Sequence, residues 1–189
     1  MEQQSGDGQA IRDQLERMVE LFGAYSSAVL TERLIAETTG GDLTPAQFDA
    51  MAFVHRHGGC SVKALSEGLR ISIPSATRLV DRLVRKRSID RRESGEDRRL
   101  VKLTLTPEGE QAVRAIHEAR IERMREALQV LPAAERSRLL VLLEHFMLAA
   151  LRDERTVRDC CRHCGSDHES TCVVNEAHQV LMGHPIVHP

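Results

Sequence analysis

Residues 72–105 read SIPSATRLVDRLVRKRSIDRRESGEDRRLVKLTL. The first half carries a helix pattern. Ser72 is an N-cap candidate, Pro74 falls in the first turn, and Ala76, Leu79, Val80 and Leu83 form one apolar stripe. The second half carries a hairpin pattern. Ile89-Asp90-Arg91-Arg92-Glu93 is followed by the turn residues Ser94-Gly95-Glu96-Asp97. From Arg98 to Leu105 the apolar residues then alternate with charged or polar ones. Upstream, Ser61 can cap a short helix carrying Val62, Leu65 and Leu69. Two short helices joined by a tight turn are a helix-turn-helix, and the hairpin behind them is a wing.

Working outward, the flanks read as helices. Residues 10–38 place Ile11, Leu15, Met18, Val19, Phe22, Tyr25, Val29, Leu30 and Leu34 at spacings of three and four, and Gly40-Gly41 ends the run. Thr44-Pro45 opens the next helix, whose expected buried face is Phe48, Met51, Ala52 and His55. Thr106-Pro107-Glu108 opens another, which breaks at Leu131-Pro132. The last helix is apolar on more than one face: Leu139, Leu140, Leu142, Leu143, Phe146, Met147, Ala150 and Leu151. One winged lobe cannot cover these helices, so burial against a second copy of the chain is expected. The expected fold is mainly α with a small β-hairpin wing. Its parts are a dimerisation helix over 1–42, a DNA-binding lobe over 43–106, C-terminal dimerisation helices over 107–157 and a tail over 158–189.

The chain has 189 residues, 41% of them hydrophobic, 29% charged and 3% aromatic. Few aromatics argue against a base-stacking single-strand binder. No run approaches the length of a membrane span, and the N-terminus lacks the pattern of a signal peptide, so a cytoplasmic protein with reduced cysteines is expected. The net charge of −2 conceals an asymmetry: residues 61–105 alone carry a net charge of +6. A basic block in an acidic protein suits a polyanion. No GxSxG, P-loop or HExxH motif occurs, and the one CxxC lacks a βαβ setting, so no enzyme is expected. A dimeric scaffold or a thiol-redox protein without specific DNA binding is the competing reading.

The tail holds four of the five cysteines and five of the nine histidines. Cys161 and Cys164 have metal-knuckle spacing, Gly165 permits a turn, and Cys172 lies beyond it. Cys160, His163, His168 and His178 are candidate fourth ligands, with Cys160 and His168 foremost. Such a set suits zinc, or an iron–sulfur cluster if all four ligands are cysteine. A reversible thiol switch and a metal-free tail compete with it. Poor apolar periodicity suggests a tail without a core of its own.

Residues 43–110 resemble the multiple-antibiotic-resistance regulator (MarR) family of winged helix-turn-helix transcription factors. The resemblance rests on Leu43-Thr44-Pro45-Ala46-Gln47-Phe48, on the run Ser72 to Leu83, on Arg91-Arg92, on Glu96-Asp97-Arg98-Arg99, and on Leu103-Thr104-Leu105-Thr106-Pro107-Glu108-Gly109. With the flanking helices it extends over about residues 10–150. It implies an obligate dimer, most often a repressor, with the helix at 73–85 in the major groove and the wing in the minor groove. It also implies a small-molecule effector, phenolic or lipophilic in relatives. Three departures stand out. Arg70 occupies the turn where relatives usually have Gly, Arg87-Ser88 stands where they have Gly-Leu, and Ile73-Pro74 replaces a Pro-Ser start.

The expected DNA-contacting residues are Ser72, Pro74, Ser75, Thr77, Arg78 and Arg82 on the recognition helix. Arg91 and Arg92 at the wing base suit phosphates, and Arg98 and Arg99 belong to the wing tip. The resemblance implies that Asp97 pairs with Arg99, which leaves Arg98 for the minor groove. Cys60 is expected to be a small buried residue.

Overall fold

The computed structural model describes residues 2–93, 101–164 and 172–185. The chain divides into two compact units, Met1–Pro45 and Ala46–Pro189.

The first unit is a helical run. Helix α1 (Glu2–Ser27) passes into a π-helical stretch (Ala28–Arg33) and then into α2 (Leu34–Thr39). The run starts well before residue 10, where periodicity placed it, because Gly6 and Gly8 lower helix propensity without stopping it. In the wide turn the Thr31 hydroxyl donates to the Ser26 carbonyl at 3.1 Å. Gly40 ends α2 in a left-handed conformation, and the Gly41 N–H donates to the Ala36 carbonyl at 2.8 Å. Leu30, Leu34 and Ile35 are buried, whereas Ile11, Leu15, Met18 and Phe22 are each more than half exposed.

The second unit begins with α3 (Pro45–Arg56), α4 (Val62–Leu69) and α5 (Ile73–Arg85). Strands β1 (Ile89–Glu93) and β2 (Val101–Leu105) form an antiparallel hairpin in the register Ile89 to Leu105 and Arg91 to Leu103. Next come α6 (Pro107–Gln129), α7 (Ala133–Ala150), α8 (Glu154–Cys164) and α9 (Val173–Met182).

Serine and threonine caps place the lobe's helices. Ser61 accepts from the Ala64 N–H at 3.1 Å and Ser72 from the Ser75 N–H at 3.3 Å. Thr106 accepts from the Gly109 N–H at 3.0 Å and donates to the Arg87 carbonyl at 2.7 Å, so it caps α6 and ties it to the end of α5. The core joins Met51 and Val54 of α3, Leu65 of α4, Ala76, Val80 and Leu83 of α5, Ile89 and Leu103 of the hairpin, and Ile116 of α6. Cys60 adds a third edge to the sheet. Its N–H donates to the Leu103 carbonyl at 3.1 Å, and the Leu103 N–H donates back at 2.7 Å.

Two expectations need correction. His55 is exposed, and Ala50, Phe53 and Val54 take the buried face instead, because α3 is covered on a wider arc than one stripe. The tail is not coreless. Leu151, Val157, Val174 and Ala177 make a second small core where α8 and α9 meet the end of α7. The boundary read at 157/158 therefore falls inside α8. Asp153 starts that helix, its carboxylate accepting from both the N–H and the hydroxyl of Thr156 at 2.8 Å. These bonds, the backbone one first, hold the Asp153 carboxyl below the usual range.

Helix α7 has no buried residue along its length. Leu140, Leu142, Leu143 and Phe146 are all exposed in the single chain.

Candidate nucleic-acid interface

The amphipathic pattern of α5 decides what the lobe can present. Ala76, Val80 and Leu83 point into the core, so positions between them face outward. Pro74, Ser75, Arg78 and Arg82 are exposed along that outer face. Ser72 and Ser75 face each other with their hydroxyl oxygens 2.9 Å apart. The Thr77 hydroxyl donates to the Ile73 carbonyl at 2.9 Å, so it serves its own helix first. The outward chemistry of α5 is thus two arginines and a serine beside a helix N-terminus that suits phosphate.

The hairpin register divides the wing-base residues. Arg91 shares a sheet face with Ile89 and Leu103, the face turned to α5. From there it reaches Asp81 of α5, nitrogen to oxygen 2.6 Å. Both partners are about half exposed, so the pair contributes at most about 1 kcal/mol, and it braces hairpin against helix. Arg92 lies on the opposite face, directly across from Lys102. Like charges placed opposite one another weaken a hairpin. An anion between them removes that cost. Arg92 also lies 3.6 Å from Asp90 on its own strand. Arg92, Thr104 and Arg114 line a cavity of about 350 Å³ beside the start of α6, and the Thr104 hydroxyl is buried with no hydrogen-bond partner among the described residues.

Arg98 and Arg99 lie outside the described residues, as does Asp97. Sequence reasoning missed Asp81 and Lys102. Lys102 was legible once the hairpin register was written out, whereas Asp81 carries no local signal.

Cys60 lies at the lobe's edge. Burial pushes its thiol up to about 11, with Lys102 pulling the other way. It is a weak nucleophile at neutral pH, in keeping with a packing role.

The metal candidates sit elsewhere. Cys160, Cys161 and Cys172 are half-buried and pack against the Leu151, Val157, Val174 and Ala177 core. His178 is buried in the same module, its Nδ1 2.9 Å from the His184 carbonyl. Cys164 ends α8, and His168 lies outside the described residues. Among the described residues no three such groups are arranged to hold a metal ion. Asp159 of α8 reaches Arg70 in the helix-turn-helix turn, nitrogen to oxygen 2.6 Å.

Comparison with known proteins agrees with this geometry. The MarR family model matches residues 41–100. The HTH-type transcriptional repressor MdtR of Bacillus subtilis (strain 168) is 35% identical over 68 residues, which are 36% of this chain and 44% of that protein. The chain spans about half the length of three curated relatives it matches. Among solved structures, RV1404 from Mycobacterium tuberculosis aligns with a TM-score of 0.60 and 27% identity over 75% of this chain and 92% of that one. YusO from Bacillus subtilis aligns with a TM-score of 0.60 and 25% identity over 72% and 97%. With its helix-turn-helix, its hairpin and these matched residues, the chain is similar to the MarR family over its DNA-binding-type lobe.

Proposed function

We propose that the chain is a duplex-DNA-binding transcriptional regulator that works as a homodimer, with α5 in the major groove and the wing along the backbone. One observation carries the reading: Arg78 and Arg82 stand exposed on the outer face of α5, beside a hairpin that places Arg92 against Lys102. An exposed helix of this width fits the major groove, and two arginines on it can take guanine edges or phosphates. A repressor role is supported by the name of the relative MdtR. A small-molecule effector, expected from the family resemblance, belongs to the same reading.

The dimer is supported by exposed apolar residues. Leu140, Leu142, Leu143 and Phe146 of α7, and Leu15, Met18 and Phe22 of α1, are more apolar surface than a lone chain leaves in water. Among the described residues no helix is long and apolar enough to cross a membrane.

The test is duplex binding measured against salt, with sedimentation of the protein alone. A dimer touching about 6–10 phosphates should show a log–log slope of roughly −5 to −9. Arg78→Ala with Arg82→Ala should weaken binding by at least about ten-fold, since one good base contact is worth about 1–3 kcal/mol. A stable monomer at micromolar concentration, or salt-independent binding, would refute the reading.

A further inference from the structure

Resting on the regulator reading, which places α5 in the major groove, we propose that the tail module braces that helix. Asp159 of α8 is the positioning residue, and it acts through Arg70.

Two unusual features meet at one contact. Arg70 closes α4 in a left-handed conformation, φ 53°, that disfavours a side chain. A residue other than glycine persists there where its surroundings hold it. The Asp159 carboxylate reaches the Arg70 guanidinium, nitrogen to oxygen 2.6 Å, and the oxygen in that contact is buried. The turn itself leaves little slack. The Arg70 N–H donates to the Glu67 carbonyl at 3.2 Å and the Ile71 N–H to the Ser66 carbonyl at 3.0 Å. The next residue, Ser72, already caps α5 by accepting from the Ser75 N–H. A shift of Arg70 is therefore passed to the first turn of α5.

Helix α8 holds the carboxylate in place. Two residues turn a helix by about 200°, so Val157 and Cys161 lie on the side of α8 away from Asp159. That far side is clamped: Val157 is fully buried, and Cys161 packs against the cluster that Val157 forms with Leu151, Val174 and Ala177. Met147 and Leu148 of α7 pack on the same cluster. The brace thus runs from the end of α7, through the tail core and α8, to the turn before α5. Its supported end is the tail core and its strained end is the turn, so the turn is the part that yields when the pair is lost.

The sign of the effect on DNA separates a brace from a plain charge. Asp159 is a negative charge beside a basic lobe, so by charge alone its removal tightens binding to a polyanion. A brace predicts the opposite.

The test is duplex affinity of the full-length protein, measured on the duplex that the parent selects from a random pool. Asp159→Asn should weaken binding by about two- to five-fold per subunit, the range an exposed ion pair supplies. The salt slope should stay the same, because no phosphate contact is lost. Arg70→Gly lets the turn keep its conformation without the pair, so adding Asp159→Asn to Arg70→Gly should change nothing further. Binding by Asp159→Asn that equals or exceeds the parent's, or an equal loss in the Arg70→Gly protein, overturns the proposal. A parent that selects no duplex defeats the regulator reading instead, and amide exchange then decides the brace. Asp159→Asn should speed exchange at Ala76, whose N–H donates to the Ser72 carbonyl at 2.9 Å, and unchanged exchange there overturns the brace.

Discussion

Arg70 and Arg87 are the two residues other than glycine with positive φ among the described residues, at 53° and 56°. Each closes a helix, Arg70 after α4 and Arg87 just past α5, where the chain must turn back within one residue. A side chain in that conformation costs about 1–2 kcal/mol. Arg70 offsets part of it through Asp159, while no ion pair of Arg87 stands among those described. Arg87→Gly should therefore raise unfolding stability by about 0.5–1 kcal/mol, after the flexibility glycine adds to the unfolded chain. Arg70→Gly should gain less. Urea denaturation of the two variants checks the order, and an equal gain would mean that the Asp159 pair contributes nothing. Both positions were legible in advance, because the family resemblance places glycine at the same two turns.

At the scale of elements, α6 is set by one close approach. A Cβ at Gly109 would run into the Ser88 carbonyl, and backbone atoms cannot rotate away. The approach lets Thr106 cap α6 while bonding to the end of α5, and the Thr106 N–H also meets the Ser88 carbonyl at 3.2 Å. Gly109→Ala should cost about 1–3 kcal/mol, as overpacking usually does. Thermal unfolding should show a lower Tm, and an unchanged Tm would mean that α6 can shift outward freely. The Thr-Pro-Glu-Gly start of this helix was visible as a cap in the sequence. The reason for its glycine was not, since Ser88 meets it only after the hairpin has closed. The hairpin behaves the same way. Alternation showed two strands, but only the register set Arg91 toward Asp81 and Arg92 toward Lys102.

At the scale of the whole chain, the tail module touches the helix-turn-helix lobe through Asp159 and Arg70. Arg70 stands two residues before Ser72, the cap of α5. The pair is about a third exposed or more on both sides, so its contribution is at most about 1 kcal/mol. That changes a population by no more than about five-fold, which suits modulation rather than an on–off switch. Asp159→Asn should leave global stability within about 1 kcal/mol of the parent. It should raise amide exchange at Ile71, whose N–H donates to the Ser66 carbonyl at 3.0 Å, and at Ser75. Unchanged exchange at both amides would show that α8 does not restrain the turn.

By itself the sequence determined the helices up to α7, the caps of the lobe, the hairpin and the basic lobe, but not α8 and α9. Each of these is encoded within a few residues: Ser61, Ser72 and Thr106 as caps, the stripe from Ala76 to Leu83, the alternation before Leu105. Its misplacements were at the start of α1, at His55, and in the tail, which was read as coreless with a boundary that falls inside α8. Tertiary structure alone decided which charges meet. Asp81 with Arg91, Arg92 against Lys102, and Arg70 with Asp159 join residues from different elements, and no local period records such a pair. It also decided that the tail has a core, because Leu151, Val157, Val174 and Ala177 are too sparse along the chain to form a stripe. They become a cluster only when two short helices fold back on the end of α7.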